Sequence, residues 1–239
     1  EFGFSALAAG RGRYFYRKDL AVAGLYTKSR IGLDAGARAH WGDQNDPTSY
    51  RHNLYGFYSV QALDRSFNDK RQPAVHNTGH INGLGLRYDY NNIFAYDNPT
   101  DSVHLRLFGD WYDHGVGSDY NYADWGGDLV ITHPLWTPRT VLAGEVFNGF
   151  THPFGAGDVP LQGRYSLGDS RSIRGIGAEE ELGRNLFVLR GEIRQSLYPE
   201  VDLNFLDALV LRGLQWRGFV DAGDVSNSAG AIYDPRGYA

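Results

Sequence analysis

The 239-residue chain offers few groups that could make or break covalent bonds. Gly168-Asp169-Ser170 echoes the opening of a lipase-type serine motif, in which a strained strand-to-helix turn exposes a nucleophilic hydroxyl. Arg171 follows it and no such turn is patterned around it, so ordinary loop chemistry is the better reading of Ser170. Histidines stand at 40, 52, 76, 80, 104, 114, 133 and 152, but none sits on a helix-period pattern with a Glu at metal-binding spacing. Asp113-His114 is the nearest acid–base pair in sequence and reads as a solvated dipeptide. Gly83-Leu84-Gly85 lacks the strand-to-helix setting of a phosphate cradle. With no Cys there is no thiol nucleophile, no disulfide and no Cys-ligated metal. Neither a catalytic site nor a cofactor is expected. What remains is charge, including Arg174 beside Gly175 in a long polar stretch and the carboxylates Glu192 and Asp221 on the charged sides of alternating runs, which residue type alone does not set apart from the other charges there. A guanidinium presents five donors in a planar fork and stays charged, so it can bridge carboxylates as Lys cannot. Alone, an Arg-Gly dipeptide is the ordinary content of a surface turn, so the elements that carry these residues decide the matter.

Those elements show the period of two that marks strands. In residues 184–198, Phe187, Leu189, Ile193 and Leu197 oppose Arg190, Glu192 and Arg194. In residues 102–113, Val103, Leu105, Leu107 and Trp111 oppose His104, Arg106, Asp110 and Tyr112. Residues 30–42, 121–133 and 210–222 alternate in the same way, the last placing Asp221 with Gln215 and Arg217 opposite Trp216 and Val220. Further strands are expected near 2–10, 14–27, 50–65, 80–94 and 139–150, about ten in all. Tight connections such as 134–138 and 97–100 alternate with long ones at 43–50, 67–79 and 153–183, suggesting short turns on one rim and long loops on the other.

Composition narrows the class. Aromatic residues make up 14% of the chain, Gly numbers 31, and the formal charge is only -5, which excludes a disordered chain. No run of 18 apolar residues occurs, so a membrane-spanning helix is excluded, and no clustered basic face supports nucleic-acid binding. A soluble β-sandwich would also alternate, but it needs large apolar residues to fill a dry interior. Here the apolar faces mix Leu, Val and Ile with Ala and Gly, and Trp41, Trp111, Trp125 and Trp136 fall toward strand ends, as in the aromatic girdles of membrane barrels. The expected fold is an all-β antiparallel transmembrane β-barrel, with residues 1–239 a single barrel segment.

Residues 165–177, Tyr-Ser-Leu-Gly-Asp-Ser-Arg-Ser-Ile-Arg-Gly-Ile-Gly, and 219–225, Phe-Val-Asp-Ala-Gly-Asp-Val, resemble the BamA/TamA-like family of bacterial outer-membrane assembly and translocation barrels, the surface-antigen superfamily. The rhythm extends the resemblance over most of the chain. In that family a long loop folds back into the lumen and carries an Arg-Gly motif at its tip, matched here by Ile173-Arg174-Gly175-Ile176. The Arg pairs with acidic residues on the lumen wall, one of them in a Phe-x-Asp-x-Gly strand motif matched by Phe219, Asp221 and Gly223. Ile176 departs from the family, which has an aromatic after the Arg-Gly.

The resemblance implies a bacterial outer-membrane, non-enzymatic protein that inserts or translocates polypeptides. Its expected partners are outer-membrane lipids, unfolded β-barrel or secreted polypeptide substrates and periplasmic accessory proteins, with no nucleic acid. By comparison with sixteen-stranded members, the first and last strands, which form the lateral seam, would lie outside the chain. A passive pore and the barrel anchor of a secreted enzyme remain open alternatives. Removal of Arg174 is expected to leave Glu192 and Asp221 as buried like charges and to loosen the loop.

Overall fold

The computed structural model describes residues 2–19, 24–41, 51–67, 79–92, 100–155, 159–160, 163–167, 173–174, 181–198, 203–205, 209–211 and 214–228. In chain order the strands are β1 (Phe2–Asp19), β2 (Gly24–Trp41), β3 (His52–Phe67), β4 (Gly79–Asn91), β5 (Ser102–Tyr112), β6 (Tyr122–Pro134) and β7 (Thr140–Pro153). They continue with β8 (Tyr165–Leu167), β9 (Glu181–Gly183), β10 (Asn185–Tyr198), β11 (Leu203–Phe205), β12 (Leu209–Leu211) and β13 (Leu214–Ser226). Nine long strands form one sheet in the order β1-β2-β3-β4-β5-β6-β7-β10-β13, with β8-β9 and β11-β12 as separate two-stranded pairs. Every pairing in the long sheet is antiparallel. A 3-10 turn, His114–Val116, lies between β5 and β6.

The expected division of the first 42 residues into strands at 2–10, 14–27 and 30–42 does not hold. Two long strands occupy that stretch, and Asp19 pairs with Gly24. This changes the end of the sheet at which each later connection falls. Residues 42–51, 92–101, 135–139 and 199–213 join strands at one end, and 20–23, 68–78, 113–121 and 154–184 join them at the other. Long and short connections are therefore mixed at both ends rather than sorted, although the longest, 154–184, shares its end with 68–78 as expected.

The register lines up one chemistry on each face. Asp110 pairs with Asp124, Asp128 with Arg106, and Arg190 with both Glu145 and Asp221, so the charged residues form continuous rows on one face. Ion pairs knit those rows: Arg87 to Asp110 at 2.5 Å, Arg106 to Asp128 at 2.5 Å, and Arg190 to Glu145 at 2.8 Å. Leu84, Leu86, Leu107, Trp111, Trp125, Ile131, Leu142, Leu189, Trp216 and Val220 are all exposed on the opposite face. Such an arrangement is the reverse of a soluble sheet, in which the apolar side is the buried one.

Aromatic rings mark both ends of the apolar face. Toward one end Trp125 stacks on Phe150 at 6.2 Å, in the row next to that of Trp111. At the other end Trp41 stacks on His52 at 5.2 Å with Tyr88 and Tyr90 around it, while Trp136 projects from the 135–139 turn. A face that meets lipid should reject a buried charge. Leu86→Arg is expected to cost about 2–4 kcal/mol in unfolding from lipid vesicles, the depth-dependent range for a cation on a barrel exterior. A change below about 0.5 kcal/mol would place this face in water.

Candidate functional site

The described parts of the 154–184 connection pack against the charged face. Its stem is the short pair β8-β9, in which Tyr165 lies opposite Gly183 and Leu167 opposite Glu181. Beyond that stem Ile173 is buried in a cluster with Leu167, Leu186 and Val188, flanked by Phe147, Tyr165 and Val225. The space Ile173 uses exists because residue 223 is glycine: a Cβ there would lie 3.0 Å from the Ile173 Cδ1 and 2.8 Å from the Phe187 carbonyl oxygen. Gly223 of the strand motif is thus a close-approach position. Gly175 and Ile176 lie outside the described residues.

Arg174 follows Ile173 and meets β13 and β10 together. Its Nε donates to Asp221 Oδ2 at 2.7 Å and its Nη2 to Asp221 Oδ1 at 2.6 Å, a two-pronged pair. Its backbone N–H adds a third bond to Asp221 Oδ2 at 3.0 Å. The remaining prong, Nη1, donates to Glu192 Oε2 at 3.0 Å. The guanidinium also lies over the Phe219 ring, 3.7 Å from its centroid. Hydrogen bonding to Asp221 raises the pKa of Arg174 further above its ordinary value, so the charge is permanent. Asp221, with its side chain 3% exposed, has given up nearly all contact with water and depends on these donors.

Arg174, Glu192, Asp221, Phe219, Gly223 and Ile173 are therefore brought together. The geometry distinguishes the two carboxylates when Arg174 is removed. Glu192 also accepts from Arg194 Nε at 2.7 Å and has Arg217 at 3.8 Å, so it keeps cationic neighbours when Arg174 is lost. Asp221 is the carboxylate that would be stranded.

Sequence reasoning names Phe219 through its motif but not as the ring beneath the guanidinium. Three participants whose role it misses are Arg194, Arg217 and Tyr165. Arg194 and Arg217 lie on the charged side by parity, but nothing local names Glu192 as their partner. Tyr165, finally, donates its phenol to Asp124 Oδ1 at 2.5 Å from across the sheet. Burial and the neighbouring carboxylate raise the pKa of that phenol well above its ordinary value, so it remains a donor.

The other candidates for chemistry take structural positions. Asp113 accepts from the Gly115 N–H at 2.7 Å and caps the 3-10 turn, while His114 Nδ1 lies 2.6 Å from the Ser118 carbonyl oxygen. Gly83-Leu84-Gly85 is mid-strand in β4. Ser170 lies outside the described residues. Among the described residues no group of three or more His, Asp or Glu could hold a metal ion, and no helix is long and apolar enough to cross a membrane.

An Omp85 superfamily domain matches residues 4–232 of the chain. Among solved structures 45 chains match. One is BamA from Haemophilus ducreyi lacking POTRA domains 1–3, with a TM-score of 0.52 and 14% sequence identity. The match covers 94% of this chain and 57% of that one, so the present chain spans little more than half the length of the protein it resembles. At that identity the likeness establishes fold: the nine-stranded sheet has the architecture of an antiparallel transmembrane β-barrel, with the charged face toward the lumen. No curated protein matches the chain by sequence.

The geometry ranks the two carboxylates. Asp221→Asn removes the charge that three Arg174 donors address, and is expected to destabilise the folded barrel by about 3 kcal/mol, in the manner of a broken buried ion pair. Glu192→Gln leaves the principal pair intact and should cost about 1 kcal/mol or less. Denaturant unfolding in detergent measures both; the reverse ranking would show that Glu192 is the principal acceptor.

Proposed function

We propose, because the chain belongs to the Omp85 superfamily and carries a lumen-facing loop arginine, that the intact protein inserts or translocates polypeptides at the bacterial outer membrane. Clients are unfolded β-barrel or secreted chains. Recognition of an incoming strand proceeds by edge-to-edge hydrogen bonding, which needs neither nucleotide nor metal. Arg174 braces the 154–184 loop against the lumen wall so that the barrel keeps its shape while client chains engage elsewhere.

The observation that carries this reading is the three-donor pairing of Arg174 with Asp221. A surface arginine would lose little by pointing into water, whereas this one is held by two strands and an aromatic ring. A passive pore needs only an open polar lumen. A loop laid across the charged face and fixed there works against open conduction.

The test uses the full-length protein in vesicles. Arg174→Ala should lower client assembly or translocation by roughly tenfold or more, equivalent to about 1.4 kcal/mol of lost stabilisation. Arg174→Lys should restore only part of it, because an ammonium cannot make the paired bonds. Single-channel recording provides the second arm: the wild type should give small, unsteady currents. Wild-type assembly by Arg174→Ala, or large steady currents from the unmodified protein, would contradict the proposal.

A further inference from the structure

The 154–184 connection touches the lumen wall at a second place, distant from Arg174. Tyr165 packs edge-on against Phe147 at 5.9 Å and sends its hydroxyl to Asp124 on β6. Thr151 on β7 donates to the same Asp124 oxygen at 3.2 Å, and its Oγ1 lies 3.5 Å from the Gly163 carbonyl oxygen. The floor beneath the ring is Gly149, where a Cβ would fall within 2.6 Å of the Tyr165 hydroxyl oxygen. Just upstream Val159 is buried with Ile81, Tyr112 and Tyr122, extending the contact to β4 and β5. The Thr151 N–H donates to the Arg184 carbonyl at 2.8 Å, closing the far end of the loop onto the same strand.

The two contacts are well separated. Asp124 pairs with Thr151, whereas Asp221 shares its row with Arg190 and Glu145. At roughly 3.4 Å per residue the two rows lie about 20 Å apart along β7, and β6 and β13 are separated by about 14 Å across the sheet. The polar partners differ: one contact is the Tyr165 phenol on Asp124 of β6, the other the Arg174 guanidinium on carboxylates of β10 and β13, while the apolar cluster that buries Ile173 also receives Tyr165. They communicate through the β8-β9 stem, since Tyr165 and Gly183 are paired there.

We infer that Tyr165 is a second anchor of the loop, a positioning residue that fixes the stem on β6 and β7 through Asp124 and so sets where Arg174 reaches the wall. The inference rests on the reading of this loop as a lumen brace.

Amide hydrogen exchange on the full-length protein in detergent separates the anchors. Tyr165→Phe keeps the ring on Phe147 and removes only the hydroxyl; exchange in peptide 159–167 should accelerate tenfold or more, the scale of a lost hydrogen bond to a charged group. Arg174→Ala should speed exchange at 173–174 and affect 159–167 less than Tyr165→Phe does, because the two places share only the stem and one apolar cluster. Adding Asp124→Leu to Tyr165→Phe removes the stranded carboxylate. That pair should regain heat-resistant migration yet keep the fast exchange of 159–167, an outcome that mere packing would not give. Should Tyr165→Phe destabilise the barrel generally, Asp124→Asn provides the control, since Asn still accepts from the phenol and should preserve protection. Unchanged exchange of 159–167 in Tyr165→Phe, its equal opening by Arg174→Ala, or its full recovery in the double variant overturns the inference. Loss of assembly activity is a separate readout: wild-type assembly by Arg174→Ala would remove the brace reading and leave the exchange pattern standing.

Discussion

A carboxylate that faces a barrel interior with its side chain 3% exposed must be given donors by the protein, because water no longer supplies them. Asp221 is such a group, and its donors come from a loop rather than from the sheet. Three bonds from Arg174, two from the side chain and one from the backbone, satisfy it. The pairing ties β13 to the 154–184 connection, and through Glu192 it takes in β10. Remove the loop and the wall is left with an unpaid charge; remove the charge and the loop tip has nothing to close on.

The surrounding residues make that one contact geometrically available. Gly223 leaves room for Ile173, whose burial against Leu167, Leu186 and Val188 fixes the residue immediately before Arg174. Phe219 offers a π face to the guanidinium where a second carboxylate would have added like-charge repulsion. Glu192 is shared among Arg174, Arg194 and Arg217, which keeps its own charge compensated. The same device recurs farther along the wall, where Arg87 pairs with Asp110 and lies against the rings of Phe57 and Phe108 at 5.1 and 5.4 Å. Cationic groups set between aromatic rings and carboxylates are how this face remains polar without being loose.

Alternation made the long strands readable because each buries one chemistry and exposes the other, with the sides reversed relative to a soluble protein. Residues 102–113, 121–133 and 184–198 fall within a residue or two of β5, β6 and β10. The reading failed at the first hairpin, where positions 20–23 are Leu-Ala-Val-Ala and carry none of the Gly, Pro, Asn or Asp that announces a turn. Arg174, Glu192 and Asp221 were legible from their motifs and parity. The Tyr165–Asp124 contact was not, since Asp124 looks like any other charge on its strand and its partner sits 41 residues away. Pairings made by a loop across a sheet leave no periodic trace; only a tertiary fold selects which of several equivalent carboxylates receives the donor.

The most direct measurement is a double-mutant cycle on unfolding free energy with Arg174→Ala, Asp221→Ala and the two combined. If the pair closes the loop onto the wall, the variants couple, with an interaction energy of about 2 kcal/mol or more. The double variant is then less destabilised than the sum of the single ones. Additivity within about 0.5 kcal/mol would mean that the two side chains do not depend on one another, and the account built on their pairing would be wrong.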